Sequence, residues 1–197
     1  ASGSLRLDRV RLAAGSRTPG VDALSGTLSA NAGVFVVEPD PGLAVTLSAP
    51  HVFREPLAMV LHEGSIGIWR EDASTHIEAS GLRIDGDGFS ARGRVALAFD
   101  DAGGKPSIDT VLAVDAGDIA RARLYWPVNV MPAQTIAWLD KSLVAGRLDG
   151  GAVVIHGDLD DWPFREARGR FEARAQVHDV DFDYHPRWPA ARIGAAD

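Results

Sequence analysis

The chain has 197 residues, a formal net charge of −7, 46% hydrophobic residues and no cysteine. Lys105 and Lys141 are its lysines, every other fixed cation is arginine, and no basic tract occurs. That argues against nucleic acid, whose phosphates need clustered cations. The lack of cysteine removes disulfides, thiol nucleophiles and cysteine-type zinc sites, without fixing a compartment. No run of about 18 apolar residues exists to cross a bilayer as a helix. The start, Ala1-Ser2-Gly3-Ser4, lacks a methionine and a signal-like pattern, so the expectation is a section of something longer.

In chain order, residues 1–50 read as short strands between turns. Leu5, Leu7, Val10 and Leu12 suggest a first strand interrupted near Asp8-Arg9. Leu24, Gly26, Leu28 and Ala30 alternate with polar residues, which is the period of a strand. Asn31-Ala-Gly33 turns the chain into Val34–Val37. Glu38-Pro-Asp-Pro-Gly42 reads as a strong turn before Leu43, Val45 and Leu47. Residues 51–114 repeat the theme. Leu57–Leu61, Ile66–Trp69 and Ile77–Ile84 lead to Phe89, Ala91, Gly93, Val95, Leu97 and Phe99 on one face, with Arg92 and Arg94 on the other. Ile108–Val114 follows. Strands arriving about every ten residues mean an antiparallel meander, sandwich or barrel.

The helix signal lies in the last third. Pro132 suits a first turn, and Ile136, Leu139, Leu143 and Val144 form an apolar stripe of helical period. Gly146 reads as the stop, so the spacing predicts one short helix over 133–145. Strands Ala152–Leu159, Phe171–Val177 and Val180–Tyr184 then follow, with a bulge or turn expected near His178-Asp179, where the apolar parity changes. The fold expected is therefore mainly β: an antiparallel, twisted and curved sheet, groove-like or taco-like, with one short helix. Residues 1–120 form a meander, 121–197 continue the same sheet, and 1–197 is a single section with no internal boundary. One wet face and one apolar face require a cover for the latter: the sheet curling on itself, a neighbouring sheet, or a bound apolar ligand.

Chemical sites are scarce. In the run from His178 to His185, Asp179, Asp181, Asp183 and His185 alternate in a way that invites a cation, but neighbours two apart on a strand stand about 7 Å apart, too wide to share one ion. They read as a solvated acidic face, and no metal site is assigned. His156 and Asp158 could share a face as an acid–base pair. Asp158 to Asp161 read instead as a turn before Trp162-Pro163, and no G-x-S-x-G nucleophile elbow exists. Gly86-Asp-Gly88 and Gly103-Gly104 are hairpin turns rather than phosphate loops. Trp126, Trp162 and Trp188 each precede a proline, which holds them extended. These pairs are taken as strand ends, and the tryptophans as core or rim residues.

The order of these features resembles a known family. Trp126-Pro127, the helix Trp138-Leu139-Asp140, Leu143-Val-Ala-Gly-Arg147, Gly157-Asp-Leu159, Trp162-Pro-Phe164, Gly169-Arg-Phe-Glu-Ala173, Phe182-Asp-Tyr184 and Trp188-Pro189 are similar to the YhdP-type envelope proteins of the AsmA-like superfamily. Gly67-Ile-Trp69 and the segment Pro50–Pro56 also look like that family. The resemblance implies a very long parent, anchored in the inner membrane by one N-terminal helix and crossing the periplasm. Its body would be a twisted sheet curved into a groove that carries phospholipid between inner and outer membranes, with no cofactor and no catalytic residue.

On that expectation the lipid-facing candidates are Val95, Leu97, Phe99, Val153, Ile155, Phe171, Val177, Phe182 and Tyr184. The expected partners are phospholipid acyl chains and the remainder of the parent at both sheet edges. Two other readings stay open: a structural or protein-binding module with a filled interior, and an enzyme on a β-sandwich.

Overall fold

The computed structural model describes residues 2–15, 18–129, 131–166, 168–182 and 191–196. Its strands are β1 (Ser2–Leu12), β2 (Gly20–Asn31), β3 (Val34–Pro39), β4 (Leu43–Ser48), β5 (Leu57–Glu71), β6 (Ser74–Gly86), β7 (Phe89–Asp100), β8 (Ser107–Asp118), β9 (Leu143–Asp158), β10 (Gly169–Phe182) and β11 (Ala191–Ala196). One α-helix, α1 (Ala133–Ser142), and two 3-10 segments, Ile119–Tyr125 and Leu159–Asp161, interrupt them. All strands join one sheet in chain order, and every pairing is antiparallel. The mainly-β expectation holds.

Eleven strands fill ten positions. β3 and β4 lie end to end in the same slot, both pairing with β2 on one side and β5 on the other. The Glu38–Gly42 segment is thus an excursion within one line of strand rather than a hairpin. Proline removes ladder donors there, and Gly42 takes φ 72° to re-aim the chain. The excursion is held down: the Asp40 N–H donates to the Ser25 carbonyl (3.0 Å), and the Arg6 guanidinium grips the Asp40 carboxylate in a two-pronged contact.

The helix is shorter than its pattern. It ends at Ser142, and Leu143 and Ala145 pair with Phe182 and Asp181 in the β9–β10 ladder. Leu143 and Val144 fit the helical stripe by spacing alone, and sheet pairing overrides that local preference. Gly146 is not a helix stop. It sits inside β9 at φ 138°, where an added Cβ would come 2.9 Å from the Val180 Cα.

Bulges occur where the apolar parity changes. Arg9 takes φ 49°, and the β1–β2 ladder shifts between Leu7 and Val10. Asp179 takes φ 51°, and the β9–β10 ladder shifts between His178 and Asp181. Both lie where the sequence pattern placed an interruption, and bulges bend a strand and increase its twist.

The fold is open. Its accessible surface is 12,016 Å², against about 9,000 Å² for a compact monomer of this mass. Among the described residues, the buried apolar side chains are few and dispersed, including Leu24, Val37, Leu57, Leu61, Ala91 and Phe99.

Close strand approach makes Gly93 a sensitive position. At φ 150°, a Cβ there would stand 2.0 Å from the Val111 carbonyl oxygen. Gly93→Ala should therefore cost about 3 kcal/mol or more in a urea melt, by strain plus overpacking. An unchanged midpoint would contradict this register.

Candidate functional site: one apolar face and two rims

Residues directly opposed in antiparallel ladders share a face, as do alternate residues along a strand. Following the pairings across the sheet gives one unbroken row: Leu5, Leu28, Val37, Ile66, Ala79, Val95, Thr110, Ile155 and Phe171. It runs from β1 to β10, about 38 Å at the usual strand spacing. Only Thr110 in it is polar, and its buried hydroxyl has no partner. The next row on the same face holds Ala30, Phe35, Ile68, Ile77, Leu97 and Ile108.

The opposite face is ionic. Its matching row reads Glu78, Ala96, Asp109, His156 and Arg170. Arg92 contacts Asp115 at 2.6 Å and Arg94 contacts Asp109 at 2.7 Å across the β7–β8 ladder, while His62 meets Asp85 at 2.8 Å. Such exposed pairs each add little stability. Their position shows which side the charged residues occupy.

Seven of the predicted face residues come together. Val95 and Leu97 sit on the rows above, with Phe99 two residues further along β7. Val153 opposes Leu112 and Ala173, Ile155 opposes Thr110 and Phe171, and Val177 opposes Leu148. Most are half-buried; Phe99 is 6% exposed and Phe171 50%. Phe182 pairs with Leu143 and Ala191 beyond the Asp179 bulge. Tyr184 lies outside the described residues, as do Asp183, His185 and Trp188. The earlier strands contribute as much to this face: Leu43, Val45 and Leu47 of β4 oppose Leu61, Met59 and Leu57 of β5. Their alternation is visible in the sequence, but only the ladder register joins them to Val95 and Leu97.

The acidic motifs resolve into local contacts. Asp158 accepts the Asp160 N–H (2.8 Å), while His156 Nδ1 lies 3.4 Å from Asp109, so the two form no acid–base pair. His178 bonds to Asp149 across the β9–β10 ladder. Among the described residues, no group of three or more metal-ligating side chains converges, and no helix is long and apolar enough to cross a membrane.

Strand ends form two rims. On the α1 rim, residues 119–142 leave β8, cross the β6–β7 turn and reach the loop between β4 and β5. The Tyr125 hydroxyl donates to the Asp87 carbonyl (2.7 Å), and its ring meets Phe89 edge-on, with centroids 4.4 Å apart. The Val128 N–H donates to the Val52 carbonyl (2.8 Å), and Arg54 pairs with Asp140. Trp126 ends the 3-10 segment, and Trp138 on α1 stays 41% exposed. On the far rim, Trp162 packs edge-on against Phe164 and Phe171, with centroids 5.3 and 5.2 Å away. Trp126-Pro127 and Trp162-Pro163 thus each stand beyond the strand end by a 3-10 segment, of seven and three residues, a step the sequence pattern did not separate.

Fold and faces together define a class: an open antiparallel meander with one apolar side, one charged side and aromatic rims. A profile of the YhdP protein family matches residues 2–197, and the chain belongs to that family. It is 23% identical over 172 residues to the "Intermembrane phospholipid transporter YhdP" of Escherichia coli (strain K12), covering 87% of this chain and 13% of that protein. No solved structure matches.

Burial pushes the Tyr125 hydroxyl up to about 12, with the Asp87 charge adding to the effect. Its folded value lies above the usual 10, so its contribution is complete below pH 10 and lost as pH rises towards 12. Ultraviolet titration should show one late tyrosinate step that Tyr125→Phe removes. A single step near pH 10 for both tyrosines would contradict this packing.

Proposed function

We propose that this chain is a section of a lipid-transfer sheet. Phospholipid acyl chains lie on the apolar face, headgroups stay in water at a rim, and the lipid moves along the hydrogen-bonding direction. The observation that carries the reading is the continuous row from Leu5 to Phe171, apolar except at Thr110, on a sheet that leaves most of it partly exposed. Burying each CH₂ is worth about 0.8 kcal/mol, so part of one acyl chain gives useful affinity without specific contacts. No covalent step is needed, and no side chain is assigned a catalytic role. The transport is passive and uses no cofactor.

Family membership and the printed name of the E. coli relative, an intermembrane phospholipid transporter, support phospholipid as the substrate class; a periplasm-crossing parent that moves it between inner and outer membranes is part of the same proposal. Val95, Leu97, Phe99, Val153, Ile155, Phe171 and Val177 are the proposed contacts, with Phe182 and Tyr184 continuing them. A second reading, a scaffold pairing with other strands, rests on the edge position of β1, which among the described residues pairs with β2 alone.

Organic extraction of the purified chain followed by mass spectrometry separates the two. Phospholipid near one per chain or more, above a mock-purified control, is the expected result. Leu97→Asp in a folded, monodisperse sample should abolish loading, because a carboxylate desolvated among acyl chains is strongly penalised. A clean wild-type extract, or full loading in Leu97→Asp, would favour the scaffold.

A further inference from the structure

The connection between β9 and β10 folds onto the apolar face. The second apolar row, which ends above at Ile108, continues through Gly157 and Gly169. These two glycines oppose each other across the β9–β10 ladder and bring no side chain to the row. Phe164 fills the gap. A Cβ on Gly169 would strike its ring, and one on Gly157 would come within 3.0 Å of it. Phe164 is 8% exposed and takes φ 62°, a conformation that a bulky residue holds only where its surroundings impose it. Trp162 stands edge-on to both Phe164 and Phe171, so three aromatic rings meet at the far-rim end of β9 and β10.

The turn that carries the rings is fastened. The Leu159 N–H donates to the Pro106 carbonyl (3.2 Å), and the Lys105 N–H to the Asp160 carboxylate (3.1 Å), which ties it to the β7–β8 turn. The Phe164 N–H donates to the Asp161 carbonyl (2.7 Å), and Arg168 pairs with Asp161 at 3.0 Å. The rings are therefore held in place on the face.

From these rings the face runs open along β10. Phe171 is half-exposed, Ala173 and Ala175 are exposed and small, and Val177 is the last residue on this side before the Asp179 bulge. The distance from Phe171 to Val177 is about 20 Å at the rise of a strand. A bilayer's hydrocarbon core is about 30 Å deep and two acyl chains thick, so one chain spans about 15 Å. The open stretch takes one membrane acyl chain and little more.

We infer that Trp162, backed by Phe164 and Phe171, is the end wall of the acyl site and limits the length of chain accepted at β9 and β10. This rests on the lipid reading above and adds a selectivity to it. A chain that fits stays buried to its end, whereas the surplus of a longer one is turned out into water. Each CH₂ so exposed lowers affinity about fourfold.

Lipid competition on the 197-residue chain tests this. The chain is incubated with vesicles of equimolar dimyristoleoyl, dipalmitoleoyl, dioleoyl and dierucoyl phosphatidylcholine, re-isolated, extracted and read by mass spectrometry. Headgroup and unsaturation are constant in this series, and chain length varies. Against the vesicle ratio, the dierucoyl lipid should be depleted at least about tenfold relative to the dipalmitoleoyl one. Trp162→Ala should reduce that depletion to about threefold or less while total phospholipid per chain is kept, because the indole no longer bars the surplus CH₂ groups. Ala173→Phe, at an exposed position, brings a wall about 7 Å nearer and should shift the bound pool towards the dimyristoleoyl lipid. The assignment is overturned if the wild-type pool mirrors the vesicles, or if a folded Trp162→Ala chain keeps the full depletion. Should Trp162→Ala not fold, an unchanged pool in Ala173→Phe overturns it. A wild-type chain that carries no phospholipid overturns the lipid reading itself, and the wall with it.

Discussion

Strand register is the constraint on which the rest of the molecule depends. Side chains alternate with a period of two, so a one-residue slip in any ladder sends a whole strand's apolar set to the charged side. Eight successive ladders keep Leu5 in line with Phe171. The chain holds that phase by placing irregularity where the pattern would otherwise drift. Arg9 and Asp179 absorb a residue each at positive φ. Gly93 and Gly146 allow backbones to approach more closely than any side chain permits. Register is also secured from the wet side: Arg92 with Asp115 and Arg94 with Asp109 pair only in the observed alignment. Such pairs contribute little to stability, yet a slipped ladder would separate them.

The rims impose a different order. Strand ends expose backbone groups and apolar margins together, and aromatic residues with a polar edge suit such places. Tyr125 shows the logic in one side chain: its ring packs on Phe89 of the apolar face while its hydroxyl satisfies the Asp87 carbonyl. The strap from Ile119 to Ser142 spans several strands and is fastened at its outer end by Val128 on Val52 and by Arg54 on Asp140. With the split β3–β4 slot, it departs from neighbour-to-neighbour connection among the described residues.

Much of this was legible from residues alone. The face of β7 was plain because Phe89, Ala91, Gly93 and Val95 alternate with Ser90, Arg92 and Arg94 and the larger Leu97 and Phe99 keep the phase past Ala96 and Ala98, and the bulge near Asp179 followed from a parity change. What failed was direction and extent. Glu38-Pro-Asp-Pro-Gly42 does turn, as its residues indicate, but that the strand then resumes its line was not legible, because the gap left beside β2 and β5 decides where it goes. Leu143 and Val144 fit a helix until a partner strand competes for them. The joining of Leu57, Met59 and Leu61 to the same face as Leu97 could not be read locally, since it depends on ladders far apart in sequence. The family was legible in short motifs scattered over most of the chain, several of which the structure places at the rims.

Neighbour-only pairing makes the sheet nearly one-dimensional. Apart from the strap and the split β3–β4 slot, each strand meets only the strands before and after it in the chain. Stability in such an array is close to a sum of nearest-neighbour terms, as in repeat proteins. Two outcomes follow for the molecule under load or denaturant. Loss of order begins at the flanks and moves inward hairpin by hairpin, and the strap, which ties the β4–β5 loop to β9, acts as a staple that makes the central strands yield together.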